Sequence, residues 1–290
     1  MDSCVSLELA TIFVAHGGIP IFHRFAPLET QLGWVKKLKE NMFISCGIQD
    51  EHIAQARKLL DAGAGGVCID VAHGHSLKML QHIEALKSSH PDKDIIAGNV
   101  CTPMAYQDLV NAGADAVKVG IGAGAACTTR IVTGFGVPQF TAIYECAKVA
   151  EKLRIPLIAD GGISSSREIV LAIAAGASSV MIGKLFALTE ESAAKKRDHN
   201  GERQALYRGQ ASKHFQDEYY GGMKKGTVSE GIDFWKKVSG STEELIHELL
   251  GGIRSGLTYG GSRNIKELQR KAEFMEVSPS YAEESKPRTT

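Results

Sequence analysis

The chain has 290 residues, 43% of them hydrophobic and 23% charged, with 33 Lys and Arg against 33 Asp and Glu, a formal net charge of zero. That length suffices for a large core. A balanced charge gives no basic field for a phosphate backbone, so nucleic acid is not an expected partner. No apolar run reaches the roughly 18 residues that cross a bilayer. Met1-Asp2-Ser3 also lacks the basic and apolar segments of a secretory signal, so the expectation is a cytoplasmic protein with no membrane partner.

Residues 5–15 read as a helix with no strand ahead of it. Short apolar runs then recur at residues 19–23 (IPIFH), 43–46 (FISC), 67–70 (VCID), 95–99 (IIAGN), 117–119 (VKV), 157–159 (LIA) and 180–182 (VMI). Continuous runs of this length suit strands buried on both faces of a parallel sheet. Between them lie stretches of helical period: in residues 51–60, Ile53, Ala56, Leu59 and Leu60 share a face, and residues 166–175 behave alike. An internal repeat supports this reading: DAGA at 61–64, NAGA at 111–114 and AAGA at 174–177 each precede a strand. Each is a helix end closed by a glycine, where a left-handed cap is free of Cβ strain. Residues 188–240 are polar and glycine-rich and read as either a functional lid or a disordered segment. Residues 242–251 read as a helix capped by Ser241 or Thr242, and the last ten residues as a frayed tail. Alternating strands and helices make βα units. The polar residues that look chemical follow many strand ends, which favours a barrel over an open doubly wound sheet.

The sharpest motif is the loop Gly120-Ile121-Gly122-Ala123-Gly124-Ala125-Ala126-Cys127-Thr128-Thr129-Arg130. Its alternating glycines let the backbone approach a ligand, and their carbonyls can ring a monovalent cation. Hydroxyls and a cation beside Cys127 would favour a thiolate nucleophile; read alone, the loop is also compatible with a tight turn carrying a buried cysteine. Asp160-Gly161-Gly162 and Gly183 end two adjacent late strands, where barrels hold phosphate on backbone N–H groups, although ordinary turns would look the same. Asp160 is placed to bond a ribose, and residues 207–212 (YRGQAS) add a turn with donors. Asp70, His73 and His75 hint at a metal, but no third ligand group stands out, and they read as polar groups lining a cleft.

These residues carry a resemblance. GIGAGAACTTRIVTGFGVPQ (120–139), IADGGI (158–163), AGNVCTP (97–103), DVAHGHS (70–76) and LLGGIRSGLTYGG (249–261) resemble, in order, the IMP dehydrogenase/GMP reductase family. The resemblance implies a (β/α)8 barrel of the TIM type, usually tetrameric, over residues 1–277, with the flap at about 188–240 and a tail at 278–290. Met1-Asp2-Ser3 aligns just after the first barrel strand, so the sheet is expected to lack that strand. The family implies that Cys127 attacks C2 of a purine nucleotide. Branch by branch, IMP dehydrogenases use an arginine–tyrosine pair on the flap to activate water, and GMP reductases a threonine–glutamate pair, here Thr129 and Glu230. Asp217-Glu218 stand where the arginine–tyrosine pair would fall, and IFHRF (21–25), DVAHGHS and TGFG (133–136) resemble the bacterial reductase branch. The implied activity is reduction of GMP to IMP and ammonia with NADPH; the alternatives are IMP dehydrogenase with NAD, or a nucleotide-binding relative without turnover. The implied nucleotide contacts are Asp160, Gly161, Gly162, Gly183, Lys184, Gly209, Gln210 and Ala211; the implied cofactor contacts are Arg24, Asp70, Val71, Ala72 and Asn99. A potassium ion would rest on the carbonyls of Gly122, Gly124 and Cys127, and a homotetramer is the implied assembly. Ala125 and Ala123 depart from the family's serine and proline.

Overall fold

All seven expected strands form, in a computed structural model that describes residues 1–287. They are β1 (Ile21–Phe22), β2 (Phe43–Cys46), β3 (Gly66–Asp70), β4 (Asp94–Val100), β5 (Ala116–Val119), β6 (Leu157–Asp160) and β7 (Ser179–Met181). Each pairs in parallel with the next in chain order, giving one sheet, β1-β2-β3-β4-β5-β6-β7. Helices connect the strands, as parallel pairing requires. The glycines of the internal repeat, Gly63, Gly113 and Gly176, all take positive φ at the helix ends.

Strand alternation decides what faces inward. Phe43, Cys68, Ile96 and Ile158 form a small cluster with Ile21, Ala116 and Met181, plugging the interior. Two residues further along β3, β4, β5 and β6, the same faces present Asp70, Gly98, Lys118 and Asp160. A larger cluster that includes Val67, Ile69, Ile95, Ala97, Val117, Val119, Leu157 and Ala159 packs the outer face of the sheet against helices. The fold is thus a curled parallel α/β half-barrel of the TIM type.

Among the described residues no strand joins β7 back to β1. Residues 1–5 cross the mouth of this seam: the Cys4 thiol donates to Gly183 O just beyond β7, and Ala193 N donates to Cys4 O. Asp2 and Ser3 line a cavity with His23, which follows β1. Outside the seam, the helix Leu7–Ala15 packs on the last long helix, Thr242–Tyr259, through a cluster containing Leu9, Phe13, Ile246 and Leu249.

Two segments are more regular than their sequence suggests. The expected flap contains an antiparallel sheet, β8 (Lys196–His199), β9 (Glu202–Arg208) and β10 (Asp233–Lys237), in the order β10-β9-β8, plus the helix Lys213–Tyr220. Its core consists of Leu188, Ala194, Ala205, Leu206, Tyr207 and Phe215, all buried. The helix expected at 242–251 continues to Tyr259, straight through Gly251 and Gly252. A Cβ at Gly252 would lie 2.0 Å from Ser166 Oγ, so the glycine permits close packing on the helix Ser166–Ala174 rather than ending its own. Ser241 caps that helix with a full capping box with Glu244. In the tail, residues 281–284 form a short exposed helix, and residues 288–290 lie outside the described residues.

Candidate active site

Cys127 sits on the loop after β5, and the flap is laced to that loop by backbone hydrogen bonds. Thr128 N donates to Glu230 O and Ile232 N to Ala126 O, both at 2.9 Å, while Glu230 N donates to Ala211 O and Gly209 N to Ile232 O. The lacing is tight enough that a Cβ on Gly209 would stand 3.2 Å from Ala126 O. Glu230, 103 positions from the cysteine in sequence, is thereby held beside it. The Cys127 thiol donates to Thr129 Oγ1 at 3.3 Å, and the Thr129 hydroxyl donates to Glu230 Oε2 at 2.8 Å. Thiol, hydroxyl and carboxylate form one directed chain, along which a proton can pass from sulfur to carboxylate. The expected trio is assembled.

The glycines after β5 and β6 bring that loop onto the strand ends. Gly120 has φ +149, and a Cβ there would fall 1.9 Å from Asp160 O; Gly161 has φ +105, and its Cβ would meet Ala123 and Gly124. Asp160-Gly161-Gly162 therefore lies directly against the cysteine loop. Gly183 and Lys184 follow the neighbouring β7 at the start of the helix Lys184–Ala187, where Gly183 faces the Tyr207 hydroxyl. Gln210 and Ala211 precede Ser212, which caps the helix Lys213–Tyr220; their carbonyls are held by Gln216 and by Ser229 and Glu230.

At the centre of the mouth stands Lys118, 2% exposed. Its ammonium donates to Asp70 Oδ1 at 2.8 Å, to Asp160 Oδ2 at 2.6 Å and to Asn99 Oδ1, while Asn99 Nδ2 donates to Asp160 Oδ2 at 3.0 Å. Gly98 on the adjacent strand makes the room, since a Cβ there would lie 2.6 Å from Lys118 Cβ. Desolvation opposes the charges, yet Asp160 and Asp70 hold the Lys118 ammonium well above the ordinary lysine range. Burial likewise pushes Asp70 upward, but Lys118 outweighs it and holds the carboxyl below its usual value. Arg24 donates to Asp70 O at 3.3 Å, and its buried Nε has no partner among the described residues. Val71 exchanges backbone hydrogen bonds with Gly98 and Asn99. Ala72 lines an open cleft of about 250 Å³ with Ala211, Met223, Lys224, Thr227, Val228 and Glu230. Of the expected cofactor residues, Ala72 lines this cleft, which reaches Glu230, while Arg24, Asp70, Val71 and Asn99 lie together at the ends of β1, β3 and β4.

The position of Arg130 revises one expectation. Arg130, expected beside the thiol, instead donates to Ile121 O and Val137 O and lies against Gly122. Gly124 O is taken by Cys127 N–H. The Gly124 carbonyl keeps a second lone pair, so Gly122, Gly124 and Cys127 still offer backbone carbonyls to a monovalent cation. Asp70, His73 and His75 do not cluster as metal ligands; His75 pairs with Asp108 at 2.8 Å. Asp217 pairs with Lys213, and Glu218 with Arg208, which also grips Asp2. Neither acid reaches the thiol. Sequence reading missed Lys118, hidden in an apolar-looking VKV, although its place two residues beyond Ala116 marks it as inward-facing.

A parallel barrel sheet with a cysteine loop, glycine turns and a charged triad at its carboxyl mouth defines an α/β-barrel protein with a built thiol site. The family model described as the IMP dehydrogenase / GMP reductase domain matches residues 1–288. The chain belongs to that family. It is 45% identical over 238 residues to the inosine-5'-monophosphate dehydrogenase of Aquifex aeolicus, covering 80% of this chain and 49% of that protein. The corresponding enzyme of Chlorobaculum parvum is 43% identical over 253 residues, covering 83% and 51%. Among solved structures, a cysteine-to-alanine variant of GMP reductase from Trypanosoma brucei, in complex with guanosine 5'-monophosphate, superposes with a TM-score of 0.81 at 33% identity, covering 86% of this chain and 52% of that one. The chain thus spans about half the length of the relatives it matches. No described helix is long and apolar enough to cross a membrane.

Proposed function

We propose that the chain is a GMP reductase, converting GMP to IMP and ammonia at the expense of NADPH. The observation that carries this reading is the Cys127–Thr129–Glu230 chain, with no flap arginine or tyrosine bonded to it. Glu230 accepts the thiol proton through Thr129, and Cys127 sulfur bonds to C2 of the purine. The proton then returns through the same pair to the departing amine, which leaves as ammonia and gives a thioimidate. NADPH held along Arg24, Asp70, Val71, Ala72 and Asn99 would supply the hydride to C2, and the Cys127 thiolate is the group that then leaves as IMP is released. Splitting amine loss from reduction replaces one high barrier by two lower ones.

In this reading Gly161, Gly162, Gly183, Lys184 and the turn of Gly209, Gln210 and Ala211 hold the phosphate, and Asp160 the ribose. Arg24, Asp70, Val71, Ala72 and Asn99 border the cofactor's cleft. A potassium ion on the carbonyls of Gly122, Gly124 and Cys127 would hold the cysteine loop in place. A homotetramer is the proposed assembly, and the exposed ring cluster of Phe140, Tyr144 and Phe274 offers an apolar face for it. Six cysteines without a disulfide suit a reducing, cytoplasmic setting.

The second reading, IMP dehydrogenase with NAD, is favoured by the names of the relatives at 43–45% identity. Loss of NADPH absorbance on adding GMP, against formation of NADH from IMP and NAD, separates the two. GMP-dependent NADPH consumption that disappears in Cys127→Ala supports the proposal. NADH production from IMP, or tight GMP binding with neither reaction, overturns it.

A further inference from the structure

On the exposed surface where the helices Leu7–Ala15 and Thr242–Tyr259 meet, three side chains come together. His16 is the C-terminal cap of the helix Leu7–Ala15, and Glu243 and His247 lie one turn apart on the helix Thr242–Tyr259. His16 Nε2 stands 3.7 Å from Glu243 Oε1. The two imidazoles meet edge to face, with centroids 5.3 Å apart at 87°. One ligand atom from each residue lies within 4.8 Å of the other two, and this is the one such group of three or more among the described residues. Neither imidazole has a hydrogen-bond acceptor or donor of its own among the described residues.

We propose that His16, Glu243 and His247 form a site for a transition-metal dication of the zinc, cobalt or nickel type, which staples the first and last long helices across the open seam. Two imidazoles and a carboxylate are a borderline-soft donor set that suits these ions and not calcium or magnesium, which take oxygen. Bonds of about 2.0–2.2 Å bring the donors around one ion to roughly 3–3.5 Å of each other. The observed separations need only side-chain rotation, and Glu243, with 63% of its side chain exposed, is free to make it. His16 is at the carbonyl end of its helix, which favours a cation. Glu243, in the first turn of the other helix, carries the negative charge that offsets the positive pole there. Three protein ligands leave positions for water, as in an open site.

These two helices pack on each other, and among the described residues β7 does not pair with β1, so the ion should stabilise their contact. The site is independent of the reaction at Cys127.

The test is titration of the full chain with cobalt chloride and with zinc chloride, read by calorimetry, by the visible bands of cobalt and by thermal unfolding. The expected result is one ion per chain, a rise in Tm of several degrees with excess zinc, and cobalt bands without sulfur-to-metal charge transfer, all unchanged in Cys127→Ala. His247→Gln and the double variant with His16→Gln should lose more than the roughly 10–100-fold in affinity that outer-shell changes cost, and lose the Tm shift while keeping the metal-free Tm. Glu243→Gln, which leaves both imidazoles, should weaken binding by a smaller factor. Failure to bind cobalt, a thiolate charge-transfer band, or undiminished binding in the double variant would overturn the proposal.

Discussion

Replacing Lys118 by Met removes the ammonium from between two carboxylates while nearly preserving side-chain volume. Lys118 bonds Asp70, Asp160 and Asn99 from a position that is 2% exposed. Breaking a buried ion network by deleting one partner costs about 3–5 kcal/mol, because the charges left behind are neither paired nor solvated. At roughly 2–4 °C per kcal/mol for a domain of this order, the Tm should fall by about 6–20 °C. The pH dependence gives a second handle. In the native protein Lys118 holds Asp70 below its usual 3.8 despite burial, so the triad's contribution is present at neutral pH and is lost as the pH falls through that depressed value. In the variant two carboxylates share the site without the ammonium between them, one of them binds a proton more readily than in the native protein, and the penalty is relieved as the pH falls. The gap in Tm between native and variant should therefore be widest at pH 7.5 and narrow towards pH 5. Adding Asp160→Asn to Lys118→Met should recover part of the loss. Circular dichroism melts of the three proteins at both values decide the matter. A gap under 2 °C, or one that does not change with pH, would refute the reasoning.

The relay predicts that Glu230→Gln and Thr129→Val each lower kcat for GMP by about 10²–10⁴-fold while nucleotide binding persists, read from turnover beside calorimetric titration. Burial pushes the Cys68 and Cys146 thiols up to about 12 and raises Cys4, Cys46 and Cys101 as well, so a small thiol reagent at pH 8 should modify Cys127 first, as peptide mapping would show. Burial pushes His23 down to about 4, so the unfolded chain gains its proton near 6.5 and the native one only well below. Stability should fall between pH 6.5 and 4 by up to about 3 kcal/mol from this group, and urea midpoints of His23→Gln should show a shallower decline.

The parallel sheet was legible because strands buried on both faces are written as unbroken apolar runs, and the glycine caps punctuate them at a fixed place in each unit. The glycine-rich cysteine loop was legible as a candidate because hydroxyls follow the thiol directly in Thr128 and Thr129, while the glycines alone suit an ordinary tight turn as well. Lys118 was hidden because VKV looks like a half-buried strand with an outward lysine; only the inward register of Ala116 and the glycine opposite, Gly98, turn it towards the mouth. The antiparallel sheet of the flap escaped notice because β8 and β10, KRDH and DFWKK, are largely solvated and carry no clear alternation. Gly251 and Gly252 suggested a helix end, whereas the helix runs on and Gly252 allows close approach to Ser166. Arg130 was assigned to the thiol from proximity in sequence, yet neighbouring carbonyls on its own loop offered nearer acceptors.

Direct capture of the Cys127 adduct is the most searching trial of the proposed chemistry. The protein is mixed with GMP, quenched in acid and mapped by peptide mass spectrometry, with a Cys127→Ala control. A purine nucleotide that has lost ammonia, bound only on the peptide containing Cys127, is the predicted product. An unmodified Cys127 peptide at saturating GMP, in protein that also leaves GMP and NADPH unconsumed, would contradict the account.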